Sequence, residues 1–371
     1  VRAWGPLASL AVLVGAGAVS AQEAEPDTMP PAYRDRFIGL PYMSYSPQTR
    51  LAFGVAGGYQ FKWPGMARDS VTRPSYLAVN ATYTQKGQWI TFLGTSLFSP
   101  GNRWWTTAAA SAGYFPVFYF GIGPRTAVAD TNLMQSRFRS VDLRLLRQVA
   151  NRFFVGPNLR LLSISHLKWQ FPARIPAVLP GGRGGMNAGI GVTAIYDARN
   201  SSATPTRGRF AQLEFLINDP LWGSDFSYAK LVADARIYLP VRRGRDVIAL
   251  TAYGEFSGSE VPIQTMAMLG NATTQVIMRG VYLGRFRDRH SLVAQADYRG
   301  HLKGRFGYVV FGSGGNVFGS PGHGFLDRVK FTGGAGLRFN VNPADPLNLR
   351  ADFTLTSFGG GGLSLGATEA F

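Results

Sequence analysis

The sequence predicts an all-β fold, a transmembrane antiparallel β-barrel of sixteen strands over residues 37–371. Three observations predict it. Apolar residues recur at every second position through most of the chain, and no stretch of helical length keeps a 3.6-residue period. The alternating stretches run to about 10–14 residues, whereas strands of water-soluble proteins average roughly five or six. The first 21 residues have the form of an export signal.

Taken in order, residues 1–21 read VRAWGPLASLAVLVGAGAVSA. Arg2 supplies the positive end, an apolar run extends from Leu7 to Val19, and the small residues Ser20 and Ala21 precede a cleavage point at Gln22. The run is short for a membrane anchor, and no Cys follows it to carry a lipid. Residues 22–36 are acidic and Pro-rich, with Glu23, Glu25, Pro26, Asp27, Pro30 and Pro31. They predict a short disordered periplasmic lead with no room for a folded domain. The chain has no Cys, which removes disulfide scaffolds, thiolate metal sites and Cys nucleophiles. No internal run of 18 apolar residues is present, so helical membrane spans are excluded.

The strands follow at about 37–45, 51–62, 74–85, 88–98, 103–116, 134–148, 152–166, 187–198, 208–218, 227–240, 246–257, 289–300, 304–313, 328–340, 347–356 and 362–371. The stretch 229–239 is typical. Ala229, Leu231, Ala233, Ala235, Ile237 and Leu239 fall on one face, and Lys230, Asp234 and Arg236 on the other. Residues 210–218, 292–299 and 347–355 repeat this, the last with Leu349, Phe353 and Leu355 against Arg350 and Asp352. A soluble sandwich would turn the charged face to bulk water. A membrane barrel turns it to the lumen and gives the apolar face to lipid. An even count returns both ends to one side. The short links near 149–151, 242–245, 300–303 and 341–346 then share the periplasmic end. The long ones near 118–133, 167–186, 257–288 and 314–327 share the outer end, the polarity expected of such barrels. The chain closes on an aromatic, Phe371, as outer-membrane barrels commonly do.

Several segments, in order and spacing, carry a resemblance. YDARNSSATPTRG spans 196–208 and GSDFSYAKLVADARIYLP spans 223–240. MRGVYLGRFRDRH spans 278–290, AQADYR 294–299 and FGSGGNVF 311–318. GAGLRFNVNPADPLNLRADF and GLSLGATEAF follow. Together they resemble the barrel of the bacterial surface antigen superfamily, the BamA- and TamA-like outer-membrane proteins, closely over 185–371 and only by pattern over 37–184. The resemblance implies that the loop before the twelfth strand folds back into the lumen. Its Arg-Gly motif is similar to Arg279-Gly280, with Asp297 as an acidic partner on the wall. The other family acid falls where this chain has Ser313, so the resemblance leaves that contact to another lumen acid such as Glu255 or Asp234. In the 196–208 turn Asp197, Arg199, Pro205 and Gly208 match the family pattern, and Asn200 replaces its second Asp.

The resemblance also implies a weak seam between the first and last strands. Pro41 lies in the first strand and cannot donate to a ladder. Gly359, Gly360, Gly361 and Gly362 lead into the last strand, where ordering glycine costs entropy. The final residues, ending in Phe371, are similar to the family's C-terminal assembly signal. The family's polypeptide-transport-associated domains have no counterpart here, which identifies a short, barrel-only member.

Thirty-two Arg and six Lys face 21 acids, a formal net charge of +17. Lumen arginines are expected at 144, 236, 338 and 350, where they form a mixed, self-neutralising network or favour anions. Outer-loop arginines at 174, 183, 285, 287 and 289 suit lipopolysaccharide phosphates. An exported barrel does not meet nucleic acid. The sequence carries no GxSxG elbow, no HExxH helix and no P-loop, and its four His have no ligand spacing. No catalytic residue, metal or cofactor is expected, and GGRGG at 181–185 reads as a flexible loop.

The expectation is an outer-membrane barrel of a Gram-negative bacterium, inserted by the barrel-assembly machinery. Through the resemblance, its role is outer-membrane protein assembly or translocation at a lateral seam, with a periplasmic accessory protein supplying the docking domains. The alternatives are an anion-preferring pore and a structural surface antigen.

Overall fold

The computed structural model describes residues 33–371 apart from 47–49, 203, 259, 271–277, 283, 342–347 and 368. The expected export signal and nearly all of the periplasmic lead lie outside the described residues.

The wall begins with β1 (Arg36–Ser46), β2 (Arg50–Phe61), β3 (Ser75–Thr84) and β4 (Trp89–Phe98). It continues through β5 (Trp104–Tyr114), β6 (Val117–Tyr119), β7 (Asn132–Ala150), β8 (Phe153–Trp169), β9 (Gly185–Asp197) and β10 (Gly208–Asn218). After β11 (Tyr228–Val241) and β12 (Asp246–Ser257), a long loop carries a small hairpin, β13 (Ala267–Leu269) and β14 (Phe286–Asp288). The wall resumes with β15 (His290–His301), β16 (Phe306–Phe318), β17 (Lys330–Asn340), β18 (Asn348–Thr356) and β19 (Gly361–Ala367). Each wall strand pairs antiparallel with the next, and β12 pairs directly with β15. Both β5 and β6 pair with β7, so they make one strand interrupted at Phe115–Pro116, where Pro116 has no N–H to give. Among the described residues the wall therefore has sixteen strands, the number the alternation predicts.

Burial is inverted relative to a water-soluble protein. On β10 Glu214 is 1% exposed, while its neighbours Leu213 and Phe215 are 50% and 43% exposed. On β18 Asp352 is fully buried while Phe353 and Leu355 face out at 55% and 60%. Polar side chains inside and apolar ones outside suit a sheet whose exterior solvent is hydrocarbon.

Three details differ from expectation. β7 and β8 are 19 and 17 residues long, standing proud of the wall at the loop end. The link between β2 and β3, residues 62–74, is long although it lies at the end carrying the termini. Its Asp69 carboxylate accepts from the Val71 and Thr72 amides and the Thr72 hydroxyl. The last strand stops at Ala367 instead of running to Phe371. Leu363 faces out, so strict alternation would bring Glu369 to the lipid face. The chain turns inward instead, and Phe371 packs beside Tyr238, Val247 and Ala249 on the inner wall.

β1 pairs with β2, including Pro41 opposite Val55, and β19 pairs with β18. Among the described residues no ladder joins β1 to β19.

Candidate functional site

The described residues of the loop 258–289 turn into the lumen on their apolar side chains. Leu269, Met278, Val281 and Phe286 pack on the inward-facing Val232, Tyr253, Val293 and Val317. A second group, Val261, Ile263 and Met266, packs on Met134 and Tyr228. Gly280 turns the chain at φ +82, and a Cβ there would come within 2.8 Å of the Thr354 methyl. Any other residue would be strained by both conformation and space.

This path delivers Arg279 to the middle of the wall, 2% exposed. Its Nη2 donates to both Asp297 oxygens at 2.8 and 2.6 Å, and Nη1 donates to Asp352 Oδ2 at 2.9 Å. The guanidinium plane lies 3.7 Å from the centre of the Phe311 ring, a desolvated cation–π contact. Asp297 also accepts from Gln295 Nε2 at 2.6 Å. Asp352 accepts from Arg338 at 2.6 Å and from Arg350 at 3.2 Å.

The network continues to the inturned tail. Arg338 Nε donates to Glu369 Oε2 at 3.0 Å, and Asn348 donates to the other oxygen at 2.8 Å. Burial alone would raise the Glu369 carboxyl, but the Arg299 and Arg338 guanidiniums hold it below the ordinary glutamate range. Arg299 is the hub at the terminal end. It donates to the carbonyls of Pro205 at 3.2 Å and Phe371 at 3.0 Å, and its guanidinium lies over the Phe371 ring. Four guanidiniums thus share three carboxylates, joining the loop, four wall strands, the 198–207 turn and the tail.

In that turn Asp197 accepts from the Arg199 amide and guanidinium and from Arg73. Gly208 takes φ +109, with the Ala198 carbonyl 2.1 Å from where a Cβ would sit. Gly359 and Gly360 form the β18–β19 turn at φ +89 each, while Gly361 and Gly362 already belong to β19.

One expectation needs correction. The second acid at Arg279 is neither Glu255 nor Asp234. Glu255 pairs with Lys230 at 2.6 Å and Asp234 with Arg236 at 2.6 Å. Asp352 takes the position, and Ser313 shares a hydroxyl hydrogen bond with Thr332 at 2.6 Å. The signal for Asp352 was its place on the polar face of 347–355.

The loop end is bridged. Arg125 pairs with Asp327 at 2.8 Å, joining the 120–131 and 319–329 links. The Gly123 amide donates to the Arg287 carbonyl at 2.7 Å, and the Ile263 amide to the Pro180 carbonyl at 3.0 Å. Asp288 accepts from the Ser320 amide and hydroxyl and lies 3.1 Å from His323 Nδ1. Burial lowers the Arg287 guanidinium to about 10 and raises the Tyr282 phenol to about 12.

Residues 182–356 match the model of the Omp85 superfamily domain. The chain carries an Omp85 superfamily domain. Among solved structures, it is similar to BamA from Haemophilus ducreyi lacking POTRA domains 1–3, at 15% identity and a TM-score of 0.58. That match covers 90% of this chain and 69% of the other. It is also similar to CdiB from Acinetobacter baumannii, at 10% identity and a TM-score of 0.54, over 87% of this chain and 56% of that one. Comparison with curated proteins finds no match. The Omp85 match begins just before β9 and takes in Arg279, Gly280, Asp297, Arg338 and Asp352. The fold likeness extends across the earlier strands as well.

Proposed function

We propose that this Omp85 barrel sits in the outer membrane of a Gram-negative bacterium and assists the assembly or translocation of other proteins. It works by opening laterally between β1 and β19, without bond chemistry. The end carrying the termini faces the periplasm, and the bridged loop end faces outward toward lipopolysaccharide. The barrel-assembly machinery inserts it, and a separate periplasmic protein supplies the docking domains. The Arg279–Gly280 loop and Asp297 hold the lumen filled. Pro41 and the Gly359–Gly362 run weaken the edges, and Phe371 belongs to the signal by which the barrel itself is inserted.

One contrast carries this reading. Along the axis, the described residues of the 258–289 loop pack on the inner wall and the loop end is bridged through Arg125–Asp327 and Gly123–Arg287. The edges β1 and β19, by comparison, have no mutual ladder among the described residues. A substrate strand can add to such an edge, because unpaired N–H and C=O groups are a template for another strand.

The test is reconstitution in planar bilayers and vesicles, comparing wild type with a disulfide that locks β1 to β19. Loss of stimulated insertion of other barrel proteins on locking, regained on reduction, supports the seam. A steady anion-selective conductance indifferent to the lock, with no insertion activity in either form, would replace this reading with a pore.

A further inference from the structure

We propose that the terminal rim holds a site for an acidic glycerophospholipid on the outside of the wall, between β4 and β5. The observation is a slot of about 260 Å³ lined by Trp63, Leu97, Pro100, Trp104 and Thr106. Leu97 and Thr106 face each other across the β4–β5 ladder. Their side belongs to the exterior, because Trp105 turns the other way. Its indole donates to Ser96 and packs on Phe98 and the buried Phe154. Trp63 and Trp104 stay 41% and 43% exposed, although the slot they frame is apolar. Trp63 is held in place by its indole N–H, which donates to the Phe98 carbonyl at 2.8 Å.

The depth of the slot follows from the neighbouring strand. On β7 the exterior series Val141, Leu143 and Leu145 is exposed and apolar, and the next exterior residue is Arg147. Hydrocarbon therefore ends near the level of Arg147, which is opposite Trp104 in the ladder. The Arg147 guanidinium lies 5.9 Å from the centre of the Trp104 ring. Arg103, exposed, precedes Trp104 in the chain. Neither arginine has a carboxylate partner among the described residues.

An apolar slot at the hydrocarbon boundary, framed by two indoles, with the Arg147 guanidinium beside Trp104 and Arg103 next to Trp104 in the chain, matches one ligand chemistry. An acyl chain enters between the tryptophans, and the phosphate meets Arg103 and Arg147. A zwitterionic lipid would fill the slot but gain less from the guanidiniums, so acidic headgroups are preferred. This inference rests on the membrane-barrel fold and is independent of the assembly reading.

The experiment uses the full folded chain in phosphatidylcholine vesicles, titrated with lipids carrying brominated acyl chains, which quench nearby indoles. Trp63→Phe and Trp104→Phe variants isolate the two signals from the other five of the seven tryptophans. Brominated phosphatidylglycerol should quench the Trp63 and Trp104 components at about fivefold lower mole fraction than brominated phosphatidylcholine, the scale of one basic residue's attraction to acidic lipid. The double variant Arg103→Gln/Arg147→Gln should lose this preference while keeping the quenching by phosphatidylcholine and the heat-resistance of the fold. Inorganic phosphate should not displace the lipid. Equal quenching by the two lipids in wild type, or a preference that survives the double variant, would overturn the proposal. So would the absence of quenching by either lipid, which would mean that a protein segment fills the slot.

Discussion

Replacing Arg279 with Ala removes a link that ties the lumen loop to two wall strands by charge. The two carboxylates it leaves are not equally exposed to the loss. Asp352 keeps Arg338 at 2.6 Å and Arg350 at 3.2 Å. Asp297 keeps Gln295 Nε2 at 2.6 Å, with the Arg299 guanidinium at 3.9 Å. Breaking a buried pair by deleting one partner costs about 3–5 kcal/mol, and these residual partners place the cost near ~3 kcal/mol. The lost contact with Phe311 adds ~1 kcal/mol or more. A total of ~4 kcal/mol corresponds to about a thousandfold shift in the balance between docked and undocked loop. For a chain of this size it lowers the unfolding temperature by about 5–10 °C. The assay is the temperature at which the barrel loses its folded mobility on a gel, paired with protease nicking within 258–289. Arg279→Lys should fall between, since an ammonium cannot span both carboxylates and lie flat on Phe311. Adding Asp297→Asn to the Ala variant should recover part of the loss by removing the stranded charge. An Ala variant with wild-type heat-resistance and an equally protected loop would refute the reasoning.

Gly280→Ala should cost ~2–3 kcal/mol, from the positive φ and the contact with Thr354. In the same gel melt, Thr354→Ala should relieve only the second part. The Glu369 carboxyl is held low by Arg299 and Arg338, so its contribution to tail docking is complete above the ordinary glutamate range. That contribution is lost as the pH falls through the depressed value, below about 4.3. Hydrogen exchange at 369–371 should therefore be slow at neutral pH and rise in acid, and Glu369→Gln should be fast at both. Arg299→Ala should free the same residues at all pH values, because it removes the carbonyl and ring contacts to Phe371 as well.

Alternation made the wall legible. Stretches such as 210–218 and 347–355 state which residues face in, and the described burial has Glu214 and Asp352 inside with Leu213 and Phe353 outside. Alternation says nothing of the path a loop takes. Arg279 could be set beside Asp297 only through the family resemblance. Asp352 was visible as a lumen acid but not as a partner, because the pairing depends on how far the loop descends and where Gly280 turns it. Glu369 was a clue that was easy to misread. A charge at an exterior position of the last strand marks the point where the strand must end, since turning inward gives the carboxylate two guanidiniums in place of lipid. The predicted fifth strand, 103–116, ended at the Phe115–Pro116 break and left Val117–Tyr119 to the following link, which is why the count survived it.

The +17 charge invites a reading as a pore for anions, and the distribution of that charge argues otherwise. Among the described residues, many of the inward-facing wall cations are matched, while Arg287 on the inturned loop is buried against the Ile263 carbonyl without a carboxylate. Arg144 and Arg160 share Glu214, Lys230 faces Glu255, Arg236 faces Asp234, and the four central guanidiniums share three carboxylates. Paired charges in a confined lumen present less net field to a passing ion than the total charge suggests. Other cations without ion pairs lie on the exterior of the wall. Arg137 and Arg139 are exposed near the loop end of β7, and Arg103 and Arg147 are exposed near the terminal end, without ion pairs among the described residues. On β7 they bracket the apolar series Val141, Leu143 and Leu145 from above and below. Arginines in those positions suit lipid phosphates at the two edges of the apolar band, so part of the excess charge has a role on the exterior of the wall that does not require a passing anion.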